Sequence, residues 1–181
     1  ETGAFEGVVV DIESAFQGPT TLYMGPNGLL FVHVDRAGSW PRMLPSFRFE
    51  DFLRGYQTED GAYVRSVYGA SKPLHSPSYM AFDGGQLLYI ITSNGIQRYN
   101  IQTGAFIDTL ILWTSSGIEW ASGIALGPDG NVYLSHEEFD EVIRFDGQTG
   151  DVIDIFVPHQ YGGLRRPGVL TFTRDGDLLV F

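Results

Sequence analysis

Short apolar stretches alternate with polar turns along the chain, and this alternation predicts β-strands joined by tight hairpins. The stretches are rich in Val, Ile, Leu, Tyr and Phe, which favour strands, and Gly, Asp, Asn and Pro lie between them. Asp-Gly and Asn-Gly turns tolerate a positive φ, so neighbouring strands are expected to pair antiparallel. The clearest unit contains four such stretches, SGIALG (122–127), NVYLS (131–135), EVIRFD (141–146) and DVIDIFV (151–157).

Two turn motifs recur in step along the chain. An Asp-Gly turn between apolar stretches occurs in GPDGNVYL (127–134) and in TRDGDLLV (173–180), and a Thr-Gly turn occurs at Gly104 and Gly150. In both cases the two turn glycines are 46 residues apart. A four-stranded unit that repeats in a fixed phase is typical of β-propeller blades, whereas a β-sandwich, the competing fold, does not predict two motifs in phase.

We therefore predict an all-β chain that forms a single β-propeller of four-stranded antiparallel blades, about three full blades plus two partial ones. The predicted parts are an outer strand at 1–10, full blades at 18–68, 76–111 and 121–157, and the two inner strands of a further blade at 167–181. The opening ETGAFEGVVV is similar to QTGAFIDTLI (102–111), which favours a strand over a cloning remnant. If the propeller closed on itself, the first and last parts would share one blade, but that blade would lack its third strand. A chain that begins and ends within a blade predicts a window of a longer protein.

Composition excludes several classes of partner and site. The net charge of −11, from 22 acidic and 11 basic residues, argues against nucleic acid and anionic lipid, because both bind clustered Lys and Arg. The absence of cysteine excludes disulfides, thiolate metal sites and cysteine nucleophiles. The longest apolar runs, such as LLYII (87–91), are far shorter than the roughly 20 residues of a membrane-spanning helix, so no membrane insertion is expected. Neither a GxSxG motif nor a phosphate-binding loop is present.

The run ASGIALGPDGNVYLSHEEFDEVIRFDGQTGDVIDIFV (121–157), followed by GGLRRPGVLTFTRDGDLLV (162–180), resembles the NHL-type repeats of bacterial six-bladed propellers. That group extends to virginiamycin B lyase-like and gluconolactonase-like proteins. The resemblance covers residues 76–181 well and residues 18–68 less well. It implies the propeller fold and an extracellular or periplasmic location, and it specifies function weakly because propellers support many unrelated activities.

One face of the predicted propeller receives the longer connections, and we call it the loop face. In a four-stranded blade, the second-to-third and the blade-to-blade connections lie on the same side, and long loops on a rigid scaffold are common binding sites. The loops of this face are 35–51, 112–121, 135–141 and 158–167.

The acidic segment of the loop face contains candidate metal ligands, His136, Glu137, Glu138 and Asp140. Imidazole and carboxylate groups bind divalent cations such as Ca, Mg or Zn. The lyases and lactonases that this chain resembles use such residues with a metal for acid–base chemistry. The resemblance therefore makes His136, Glu137 and His159 candidate catalytic residues. The alternative is a solvated acidic hairpin, with His159 bonded to nearby carbonyls, and the absence of a defined metal spacing such as HExxH favours it.

The segment 35–51 is an insertion whose residue types are enriched at protein interfaces. The alternative is a small satellite core that closes over the blade. The candidate binding residues are Trp40, Arg42, Phe47 and Arg48 in this insertion, with Trp113 and Trp120 in the loop 112–121.

Three functional hypotheses follow from these patterns. The leading one is a non-catalytic extracytoplasmic propeller module that binds a protein or a glycan through the loop face, and it requires no cofactor. The first alternative is a metal-dependent lyase or lactonase with a site on the central channel. The second is an accessory subunit of a larger extracytoplasmic assembly.

Overall fold

The computed structural model describes residues 19–25, 29–34, 52–57, 63–67, 78–118 and 121–181. Nearly all of the regular structure in these ranges is β-strand, and no helix among the described residues is long and apolar enough to cross a membrane. The strands are β1 (Pro19–Met24), β2 (Leu29–Val34), β3 (Phe52–Gln57), β4 (Tyr63–Val67), β5 (Met80–Phe82), β6 (Leu87–Thr92), β7 (Gly95–Asn100), β8 (Phe106–Leu112), β9 (Gly123–Leu126), β10 (Val132–His136), β11 (Glu141–Phe145), β12 (Val152–Val157), β13 (Leu170–Phe172) and β14 (Leu178–Val180). The helical segments are α1 (Trp113–Ser116) and two 3-10 turns, Glu137–Phe139 and Tyr161–Gly163.

The strands form three four-stranded sheets and one two-stranded sheet, and each sheet follows the order of the chain. Consecutive strands pair antiparallel, as in β9 to β12, so every connection within a sheet is a hairpin. The first strands of neighbouring sheets lie side by side, because β9 contacts both β5 and β13. Sheets that meet along their first strands have the arrangement of propeller blades, and the predicted fold class is confirmed. The predicted outer strand at 1–10 lies outside the described residues.

The Thr-Gly turns have a local cause that recurs in two blades. The Asp146 carboxylate accepts hydrogen bonds from the backbone N–H groups of Gln148 and Thr149, both at 2.8 Å. These bonds lower the pKa of Asp146, with the bond from Thr149 as the largest cause. Asn100 Oδ1 accepts the corresponding bonds from Gln102 and Thr103 in the preceding blade, both at 2.9 Å. A short polar acceptor before QTG therefore closes each of these hairpins.

Alternate residues of β10 face different neighbours. Leu134 belongs to an apolar cluster that includes Tyr89 and Ile96 of the preceding blade. Tyr133 belongs to a second cluster that includes Leu170 of the following blade. Since successive side chains of a strand point to opposite faces, one strand supplies apolar side chains to two blade interfaces.

A bidentate ion pair links the third and fourth strands of two blades at equivalent positions, and the sequence analysis did not predict it. The Arg98 guanidinium donates to both oxygens of Asp108 at 2.8 and 2.5 Å, and Arg144 binds Asp154 in the same way at 3.1 and 2.5 Å. The hydrogen bond with Asp108 raises the pKa of Arg98. Arg98 also donates to the Gly147 carbonyl at 3.3 Å, so this pair reaches the next blade.

The contact of Gly150 with the preceding blade predicts a strong penalty for a side chain at this position. Gly150 has a φ of 76°, and a Cβ atom there would lie 2.0 Å from the Leu110 carbonyl oxygen. Gly130 has a similar φ of 79°, but its Cβ atom would meet open space. Both Gly130→Ala and Gly150→Ala should lower the free energy of unfolding by about 1–2 kcal/mol, because alanine is unfavourable in left-handed backbone. Gly150→Ala should lose a further 1–3 kcal/mol, roughly, because the blades must separate. Urea unfolding measures the difference, and equal losses in the two variants would contradict the blade contact.

Two tyrosines, Tyr99 in the core and the partly buried Tyr23, predict a loss of stability at alkaline pH. Burial raises the pKa of Tyr23 and of Tyr99 to about 12, from an ordinary value of about 10 in the unfolded chain. The folded state therefore holds these protons more tightly, and the stabilisation is complete below pH 10 and is lost as pH rises from about 10 to 12. Tyr99→Phe should flatten this part of the pH profile, whereas Tyr161→Phe, at a side chain that is 72% exposed, should leave it as in the parent. Urea midpoints between pH 9 and 12 provide the test, and a profile that Tyr99→Phe leaves unchanged would refute it.

Candidate functional site

Two connections of the loop face lie against each other and form the candidate site. The first connects β10 to β11 and consists of the 3-10 turn Glu137–Phe139 and Asp140. The second connects β12 to β13 and contains His159 and Arg166. The hairpin is short because His136 and Glu141 are still a paired position of the two strands, so only four residues span the gap.

His136 and Glu141 form a buried acid–base pair at the loop-face end of the blade. His136 Nδ1 lies 3.6 Å from Glu141 Oε1, just beyond hydrogen-bond distance. The His136 side chain is 6% exposed and that of Glu141 is 15% exposed. Both face the preceding blade, because they lie two residues from Leu134 and Ile143, which are packed in that interface.

The buried imidazole is incompletely satisfied. In the described part of the chain, His136 Nδ1 and Ser122 Oγ are the buried side-chain atoms without a hydrogen-bond partner. The large majority of buried polar atoms in proteins have a partner, so the orphaned nitrogen makes His136 a candidate for binding a further group or transferring a proton. Phe139 covers the imidazole, with the ring centroids 4.5 Å apart and the planes inclined by 31°.

Arg166 holds the 137–140 turn from the following blade connection. Its backbone N–H donates to Asp140 Oδ1 at 2.6 Å, and its Nε donates to Glu137 Oε1 at 2.8 Å. A second guanidinium nitrogen, Nη2, also donates to Glu137 Oε1. His159 adds a contact, since its Nδ1 lies 2.9 Å from the Phe139 carbonyl oxygen and donates in the tautomer that carries the proton there.

The backbone of these two connections is strained. The non-glycine residues with positive φ in the described ranges are Asp140 at 53°, Gln160 at 57° and Arg166 at 47°, and all three belong to the two connections. Left-handed backbone at such residues costs free energy and persists where the surroundings hold it, frequently at functional sites. A shallow depression of about 400 Å³ lies between the connections, and its lining residues are Glu137, Glu138, Asp140 and Arg166.

The structure does not bring the four candidate metal ligands together around one point. His136 is buried at the blade interface beside Glu141, whereas Glu137 and Asp140 bind Arg166. Within the described ranges, no group of three or more His, Asp and Glu side chains could hold a metal ion. The guanidinium of Arg166 would also repel a cation at this position, so the described residues of the loop do not fit a metal centre.

The structure corrects the interpretation of Trp113 as part of an exposed aromatic patch. Its side chain is buried, and its indole N–H donates to the Thr92 carbonyl at 2.9 Å. The residue begins α1 directly after β8, so the indole folds back onto its own blade and joins the apolar core. The other candidate binding residues, Trp40, Arg42, Phe47, Arg48 and Trp120, lie outside the described residues.

Three residues of the site were not predicted as functional, namely Phe139, Glu141 and Arg166. Glu141 could have been found from the hairpin, because a four-residue connection places it opposite His136. The partnership of Arg166 with Glu137 joins two blades across 29 residues of sequence, and no local pattern contains that information.

Comparison with known proteins supports the fold. No protein-family model matches the chain, and no curated protein matches it significantly. Among solved structures, it is similar to a gluconolactonase from Xanthomonas campestris (16% identity, TM-score 0.63) over 90% of this chain and 53% of the other. A luciferin-regenerating enzyme is similar (13%, TM-score 0.61) over 88% and 52%, and the hydrazine synthase of Kuenenia stuttgartiensis (17%, TM-score 0.59) over 98% and 45%. The chain thus spans about half the length of these structures, and identities this low support the propeller fold alone.

The orphaned nitrogen of His136 predicts that this residue contributes little to stability. His136→Leu removes an unsatisfied buried polar atom, so the free energy of unfolding should be unchanged or should rise by up to about 1–2 kcal/mol. Ser135→Ala provides the contrast, because Ser135 Oγ donates to the Gly168 carbonyl at 2.6 Å. That variant should lose about 1 kcal/mol. Urea unfolding tests both, and a loss above about 2 kcal/mol for His136→Leu would show that the imidazole is a structural residue.

Proposed function

We propose that the chain is part of a β-propeller hydrolase that opens cyclic esters of sugar acids, with His136 as the proton-transfer group. The observation that carries the proposal is the buried His136–Glu141 pair with its unpartnered ring nitrogen. Fold similarity to a gluconolactonase supports the choice of substrate class. This proposal favours the enzymatic alternative of the sequence analysis over a binding module.

The pair has the composition needed for general-base catalysis. A small approach of Glu141 would turn the 3.6 Å separation into a hydrogen bond from His136 Nδ1, and the other ring nitrogen, Nε2, would then be free to accept a proton. The carboxylate would also stabilise the imidazolium that forms. Such tightening on substrate binding is common, since catalytic hydrogen bonds are often long in the free protein.

In the proposed reaction, Nε2 of His136 accepts a proton from water as the water oxygen bonds to the carbonyl carbon of the lactone. The ring C–O bond then breaks, and the departing oxygen receives the proton from the imidazolium. One water is consumed, and the product is a hydroxy acid. The polar residues that line the depression, Glu137, Glu138, Asp140 and Arg166, offer acceptors and donors for the hydroxyl groups of a sugar acid.

A divalent cation, Ca, Mg or Zn, is implied by the resemblance to metal-dependent lactonases. The described residues of the 137–140 turn do not fit it, because Arg166 already binds Glu137 and Asp140. We therefore assign no step of the reaction to a cation, and the question of a cofactor stays open.

The remaining expectations stay predictions. A protein or glycan partner bound through the loop face, an extracellular or periplasmic location, and membership of a larger assembly are tested by no contact among the described residues. The hydrazine synthase similarity concerns fold and does not identify a partner.

Lactone hydrolysis by the purified protein tests the proposal. With gluconolactone as substrate and the spontaneous rate subtracted, His136→Gln should lower kcat by about 100-fold or more, the usual contribution of a general base. Glu141→Gln should lower it less, because the amide still orients the ring but cannot stabilise the imidazolium. The charge-matched control is Asp175→Asn, at an exposed turn of the opposite face, and it should retain the parent rate. A parent protein without activity above background, or a His136→Gln variant with full activity, would overturn the proposal.

A further inference from the structure

The turn that covers His136 has little means of holding itself in place. It is a 3-10 turn of three residues without a side-chain cap, and Asp140 ends it in the left-handed region. The segment from Glu137 to Glu141 carries four carboxylates in five residues, and like charges this close repel each other. In isolation such a turn would open readily.

The contacts that hold the turn come from the following blade connection. Arg166 binds Glu137 through its side chain and Asp140 through its backbone N–H, and its charge offsets part of the acidic segment. His159 adds the contact to the Phe139 carbonyl. Pairing of β10 with β11 fixes only the two ends of the turn, at His136 and Glu141.

Phe139 connects the state of the turn to the state of His136. Its ring lies on the imidazole, while its own side chain is 54% exposed. The ring is therefore a partly solvated cover and not a core residue. When the turn is closed, His136 is 5% exposed, so any reagent or substrate that reaches the imidazole from this side must displace Phe139.

We propose that Arg166 is a positioning residue that latches the 137–140 turn over His136, so that access to the His136–Glu141 pair depends on breaking an ion pair between two blades. The role of the latch in lactone hydrolysis rests on the function proposed above, whereas the gating of His136 does not. The Arg166 side chain is 81% exposed, and exposed ion pairs are weak and screened by salt. The latch is thus weak enough to open during turnover, and salt should loosen it.

The first test measures the accessibility of His136 directly. Diethyl pyrocarbonate modifies exposed imidazoles, and mass spectrometry of the peptide containing His136 gives the rate constant. Arg166→Gln should raise that rate constant about threefold or more, since loss of one exposed ion pair shifts an opening equilibrium by that order. Arg165→Gln, which makes the same change of charge at the adjacent exposed residue, should leave the rate as in the parent.

Two further variants separate the latch from a general loosening of the fold. Glu137→Gln should act like Arg166→Gln, and the double variant should show no additional increase, because both changes break one contact. Glu138→Gln is the matched control, because Glu138 makes no hydrogen bond to Arg166. Raising the NaCl concentration should speed modification in the parent and have little effect in Arg166→Gln. Urea unfolding of each variant shows whether the fold itself has changed.

The outcomes distinguish this inference from the proposed function. If Arg166→Gln and Arg165→Gln give equal modification rates, or if salt acts equally on the parent and on Arg166→Gln, the latch is wrong even where lactone hydrolysis depends on His136. If the latch variants expose His136 but the parent hydrolyses no lactone, the latch stands and the proposed function fails. If the latch and the proposed lactone hydrolysis are both correct, Arg166→Gln should change KM more than kcat, because it alters access to His136 and leaves the proton-transfer pair in place.

Discussion

The sheet of β9 to β12 carries apolar side chains on both faces, and the structure around it depends on neighbouring sheets covering those faces. Leu134 and Tyr133, adjacent in one strand, belong to two different blade interfaces. A blade of this size cannot bury its own side chains, so the stability of each depends on contact with the next. Gly150 allows the two blades to approach closely, because the Leu110 carbonyl oxygen of the preceding blade occupies the space that a side chain would need.

The same constraint places the candidate chemistry. His136 and Glu141 occupy the last paired position of β10 and β11, where the apolar interface ends and the loop face begins. An imidazole there is desolvated by the neighbouring blade but lies near the surface, and a carboxylate faces it across the hairpin. Desolvation strengthens the electrostatic interaction of such a pair. The rigid interface below fixes its geometry, while the turn above is held by weaker contacts.

The repeating features could be predicted from the sequence because their causes are local. The QTG turn with its preceding Asp146 or Asn100 and the strand alternation are properties of a few consecutive residues. The site depends instead on contacts between blades. Arg166 was visible only as one of two adjacent arginines, and Trp113 resembled an exposed aromatic residue because nothing local indicates that its indole N–H reaches Thr92. A pattern along the chain records which residues share a strand face, but not which loops meet.

The ion pairs of the blade repeat differ from the Arg166–Glu137 pair in what they join and in the backbone around them. The Arg98–Asp108 and Arg144–Asp154 pairs recur at equivalent positions and join strands within a blade, so they belong to the repeat. The Arg166–Glu137 pair joins two blade connections. The backbone of these connections is strained at Asp140 and at Arg166. Strained backbone at non-glycine residues is costly to maintain where it serves only to connect strands, because an ordinary turn would serve equally well. The strain therefore favours a specific role for the 137–140 turn above the His136–Glu141 pair.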